Sequence, residues 1–76
     1  MWWFIKKQLD DTDGVVYSYG YESREQTGKI CYNRKEDKCD VLIGADNDSN
    51  PLRVCPYVRR VILNENAPVE RQIATG

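Results

Sequence analysis

Residues 15–22 read Val15-Val16-Tyr17-Ser18-Tyr19-Gly20-Tyr21-Glu22, with tyrosine at every second position from 17 to 21 and small or polar residues between. Successive side chains on a strand point to opposite faces, so a period of two is a strand signature. Val15, Tyr17, Tyr19 and Tyr21 form one wall, and Val16, Ser18, Gly20 and Glu22 form the other. A sheet grown outward from this strand has one apolar and one polar face, the usual antiparallel arrangement.

On the N-terminal side, residues 1–8 also read as a strand, with Trp2 and Phe4 facing one way and Trp3 and Ile5 the other. Both faces are apolar at its start, so it either runs through a two-sided core or offers an aromatic to a partner. Residues 9–14 turn the chain, with Asp13-Gly14 supplying a residue that tolerates positive φ.

On the C-terminal side, residues 24–28 reverse the chain into a third strand over residues 29–33, which sets Tyr21 near Ile30 and Tyr19 near Tyr32. A one-residue slip would put Ile30 and Tyr32 in water, so the apolar pattern selects the face. Residues 34–37 make a charged hairpin tip. A fourth strand over residues 38–43 then turns Cys39, Val41 and Ile43 toward the tyrosine wall, while Cys31 faces away and cannot bond to Cys39.

Residues 44–50 are polar and form a loop. A helix follows, because Val54, Val58, Val61 and Ile62 recur at helical spacing while Arg53, Arg59 and Arg60 fall elsewhere. Pro56 belongs in its first turn, so the helix starts near Val54 or Cys55, with Pro51 outside it or in a separate short turn. Residues 64–66 stop it, since Asn adopts the left-handed cap and Pro68 cannot continue. Residues 71–75 alternate as a last short strand. The fold expected is α+β: a four-stranded antiparallel meander, one helix laid on one sheet face, and a short C-terminal strand, ββββαβ. The exposed face carries Ser18, Glu22, Asn33, Lys38 and Asp40 and is wet apart from one of the N-terminal tryptophans, Trp2 or Trp3, its neighbour two residues on, and Leu42.

Seventy-six residues form one small domain, residues 1–76, that buries only about 60% of its unfolded surface. An apolar fraction of 41% places it among chains that fold. Eleven basic against twelve acidic residues leave a net charge of −1, so no global field holds a polyanion, and nucleic acid is an unlikely partner. No apolar run approaches the roughly 20 residues that span a bilayer, and Trp2-Trp3-Phe4-Ile5 precedes the lysines, the reverse of a signal peptide. The expectation is a soluble, cytoplasmic protein.

Cys31, Cys39 and Cys55 are too few and too scattered for a disulfide framework, and are expected to be reduced. Histidine is absent, which removes His-based acid and base chemistry, Cys-His and Ser-His nucleophile pairs and most zinc sites. With no phosphate loop and no nucleophile motif either, no enzyme, cofactor or metal site is expected. Asp46-Asn47-Asp48-Ser49-Asn50 resembles the opening of an EF-hand loop, but the sixth and twelfth positions hold Pro51 and Tyr57 instead of Gly and Glu. These residues read as a loop that bends the chain and caps the helix. Cys55, near a helix start, has its thiolate favoured by the helix dipole, but without a histidine or a CxxC partner it reads as a buried structural thiol.

Two surfaces remain. Trp2, Trp3 and Phe4 are the candidate interface of a small protein-interaction module that forms a homodimer or joins a larger assembly, since aromatics dominate interface hot spots. Arg53, Arg59 and Arg60 are the candidate anion patch of the alternative, a weak nucleic-acid or anion-binding domain that adds the tyrosine-rich sheet as a stacking platform.

Overall fold

The computed structural model describes residues 1–75. Its elements are β1 (Trp2–Asp10), β2 (Gly14–Tyr21), β3 (Gly28–Asn33), β4 (Lys38–Ile43), a 3-10 turn (Pro51–Val54), α1 (Cys55–Glu65) and β5 (Glu70–Ala74). All five strands join one antiparallel sheet in the order β4-β3-β2-β1-β5, with the tyrosine strand β2 at its centre. The architecture is the α+β arrangement expected from the pattern.

Parity decides which side chains are buried. Val15, Tyr17, Tyr19, Ile30 and Tyr32 lie on one face and form a single core with Val54, Val58, Val61 and Ile62, so α1 covers the tyrosine wall. Trp3, Ile5 and Ile73 extend the same core, on the same face, toward the β5 edge. Pro56 sits in the first turn of α1, and the 3-10 turn before it holds Pro51. Asn66 ends the helix in the left-handed conformation, φ 59° and ψ 47°, and Ala67 follows at φ 49°. From there the Pro68 carbonyl accepts the Tyr17 hydroxyl at 2.6 Å, and Val69 accepts the Lys7 backbone N–H at 2.7 Å, which delivers the chain to the free edge of β1.

Three expectations are corrected. First, β1 runs to Asp10 instead of ending at Gln8, because a bulge between Lys7 and Leu9 shifts its register on β2 and turns Leu9 outward, opposite Val16. Second, β3 pairs with β2 in a register four residues away from the one expected: Tyr17 faces Ile30, Val15 faces Tyr32, and Tyr19 faces Gly28. A shift of four, like any even shift, preserves every face, so the apolar pattern is blind to it. The choice falls to Gly28, where an added Cβ would stand 2.2 Å from a Tyr19 ring carbon; only glycine lets that ring lie across β3. Third, the outer face is not simply wet. The loop over residues 22–27 folds back on it, with the Ser23 and Glu25 carbonyls against Gly20, the Arg24 guanidinium 4.4 Å from the Phe4 ring centre, and Gln26 accepting the Ser18 hydroxyl at 2.9 Å. A helix covers one face, and a loop covers the part of the other around Phe4, Ser18 and Gly20.

Candidate functional site

The structure separates the residues of the candidate interface. β1 carries them in the interior of the sheet, between β2 and β5, so it presents no free edge. Trp3 is fully buried, with its ring centre 5.3 Å from that of Tyr57 and 6.3 Å from that of Tyr21; among the described residues its Nε1 has no hydrogen-bond partner. Phe4 is 5% exposed beneath Arg24. Of the three, only Trp2, opposite Ala74, keeps part of its surface.

The candidate anion patch is likewise divided, because internal carboxylates hold two of its three cations. Arg53 reaches the side chain of Asp48 at 3.2 Å, and its guanidinium lies 5.3 Å from the Tyr21 ring centre. Arg59 donates two hydrogen bonds to Asp37, at 2.8 and 2.6 Å. Asp37 also accepts the Tyr32 hydroxyl at 2.6 Å, and Arg59 and Tyr32 together hold its carboxyl down at about 2. Arg60 packs over the Tyr57 ring at 5.7 Å and, among the described residues, has no carboxylate partner. Tyr17, Tyr19 and Tyr32 are core side chains, and burial pushes the first two hydroxyls up to about 12.

Asp48, part of the EF-hand-like run, turns inward. Its buried carboxylate accepts the Tyr19 hydroxyl at 3.1 Å, the Asn50 N–H at 3.2 Å and the Arg53 guanidinium, while the Tyr19 oxygen accepts the Ala45 N–H at 3.0 Å. These bonds bind the loop over residues 44–50 to the core. They do not cap α1, which has no side-chain cap and is fed directly by the 3-10 turn, a correction to the role expected of this run. Among the described residues, no group of three Cys, Asp or Glu side chains converges in a metal-holding arrangement.

Matched against protein-family models, curated proteins and solved structures, the chain resembles none of them.

The surface chemistry of the chain must therefore speak for itself, and it concentrates at the two open edges. β4 has a strand on one side only. Its first half carries Lys38 and Asp40, but its last two residues, Leu42 and Ile43, are 59% and 53% exposed. Immediately beyond, the 3-10 turn packs on the end of β4, close enough that a Cβ on Gly44 would stand 2.9 Å from the Pro51 ring, and it presents Leu52 at 65% exposure. At the opposite edge, β5 and α1 border a groove of about 370 Å³ lined by Tyr57, Arg60, Asn64, Gln72 and Ile73 among others. The apolar group at the β4 end was not visible in the alternation, which assigned Ile43 to the covered face; a bulge at Leu42 leaves Val41 opposite Ile30 but sets Ile43 opposite Lys29, away from the tyrosine face.

Proposed function

We propose that this chain is a small protein-interaction domain that self-associates, or joins a larger assembly, by adding a partner strand along β4. The observation that carries this reading is an open strand edge ending in exposed Leu42 and Ile43, beside exposed Leu52. Unpaired edge N–H and C=O groups are templates for another strand, and folded proteins usually blunt them with charges or bulges. Lys38 and Asp40 supply such charges at one end of β4, while Val41-Leu42-Ile43 has no charge and only a bulge at Leu42. In strand addition the backbone hydrogen bonds supply affinity and flanking side-chain contacts supply selectivity; Ile43 and Leu52 are placed for the latter. The three unbridged cysteines suit a reducing compartment such as the cytoplasm.

Static light scattering across a concentration series tests the reading with Ile43→Lys as the comparison. Wild type is expected to gain mass with concentration and Ile43→Lys to stay monomeric with an unchanged circular dichroism spectrum. If wild type is strictly monomeric and its β4 amides exchange equally fast alone and in native-cell extract, strand addition at β4 is wrong.

The alternative, anion binding, is supported by Arg60 alone, the one arginine of the three without a carboxylate beside it among the described residues. Filter binding of a polyanion at two salt concentrations separates it, since phosphate contacts weaken steeply with salt.

A further inference from the structure

Two of the three cysteines, far apart in the chain, meet at the junction of helix and sheet. Cys39 lies on the inner face of β4, opposite Tyr32, and packs half-buried against the core. Cys55 is the first residue of α1, which together with the preceding 3-10 turn packs against β4, and it is half-buried as well. Each thiol lies near enough to the other to influence its ionisation. Cys31 stands opposite Asp40 and points to the outer face, so the sheet itself separates it from the other two.

We propose that Cys39 and Cys55 are a redox modification site that closes into a reversible intramolecular disulfide by exchange with a small disulfide such as oxidised glutathione. The Cys55 thiolate attacks one sulfur of the oxidant and releases one glutathione thiolate, leaving a mixed disulfide. The Cys39 thiolate then attacks the Cys55 sulfur and expels the second glutathione. Two protein thiols are oxidised to one disulfide, one glutathione disulfide is reduced to two thiols, and the two protons pass to the released thiolates. Cys55 attacks first because it opens an 11-residue helix, where the unpaired N–H groups favour a thiolate. Burial raises the pKa of both thiols, more so for Cys39, so the exchange quickens as the solution is made alkaline. The bridge ties the end of the 3-10 turn to β4 and closes the loop over residues 44–50 between them.

The experiment treats the full chain with oxidised glutathione at mildly alkaline pH, alkylates remaining thiols with iodoacetamide, and measures intact mass and a non-reducing peptide map. The expected product has lost two hydrogens, carries a label on Cys31 only, and yields a peptide pair linked through Cys39 and Cys55. It melts at a higher temperature than the reduced protein, and dithiothreitol restores three alkylatable thiols. Cys39→Ser is expected to stop at a stable glutathione adduct on Cys55. Three labelled thiols after oxidation, a persistent glutathione adduct on wild type, or a link through Cys31 would each overturn the proposal.

Discussion

At the scale of single residues, the contact between Tyr19 and Gly28 organises the most. The Tyr19 ring crosses β3 where that strand has no side chain, and this brings its hydroxyl to Asp48 and Ala45 in the following loop. An added Cβ at Gly28 would meet the ring at 2.2 Å and the Ala45 backbone nitrogen at 2.8 Å. Neither neighbour can withdraw, because the ring is fully buried and its oxygen is tied at both sides. Gly28→Ala is therefore expected to destabilise the protein by about 1–3 kcal/mol, the usual range for overpacking. At Gly44, an exposed position, the nearest atom to an added Cβ is a side-chain carbon of Pro51 at 2.9 Å, and the loss from Gly44→Ala should be smaller. Urea melts of the two variants check the ranking; equal midpoints would show that Tyr19 can move aside.

At the scale of elements, α1 is fixed at both ends by local chemistry. Pro56 is tolerated because the first-turn N–H groups have no partner within the helix, and Asn66 closes the helix with a left-handed residue whose N–H bonds back to Ile62. For most residues the left-handed conformation costs about 1–2 kcal/mol. Asn66→Val should lower stability by about that much and Asn66→Gly should leave it nearly unchanged, read from thermal midpoints on the same buffer. Such ends were legible in the sequence because Pro and Asn act on their own backbone. Faces were legible for the same reason, since Tyr17, Tyr19, Ile30 and Tyr32 need only alternation to share a side. The register of β3 was not, because Tyr19 opposite Gly28 and Tyr19 opposite Tyr32 satisfy alternation equally. Nor was the cover over Phe4, which is made by Arg24 and by carbonyl groups resting on Gly20, contacts with no period. The exposed group at Leu42, Ile43 and Leu52 stayed hidden because it depends on a bulge at Leu42 that breaks the alternation and on which strands become edges. That is decided by β5 joining β1, a pairing between the two ends of the chain.

At the scale of the whole molecule, the charges are used to hold distant segments together. Arg34 at the β3–β4 tip reaches Asp10 at the end of β1, Arg59 on α1 reaches Asp37 at the same tip, and Arg71 on β5 reaches Glu65 at the end of α1. Exposed ion pairs are individually weak, but each of these carboxyls is held below its ordinary range by the arginine facing it, and Asp37 falls from 3.8 to about 2. A carboxyl whose pKa is lower in the folded than in the unfolded chain binds protons more readily when unfolded, so its stabilising effect is present above the unfolded pKa and disappears as pH falls through the folded one. For Asp37 that window runs from about pH 4 down to about pH 2. The thermal midpoint is thus expected to hold steady above pH 5 and to drop steeply between pH 4 and pH 2. Asp37→Asn removes the titrating group along with the paired charge, so the variant should start lower at neutral pH and follow a shallower curve through the same window. Parallel melts of the two proteins in acid measure this, and identical slopes would show that the Arg59 pairing contributes nothing to the cohesion of helix and sheet.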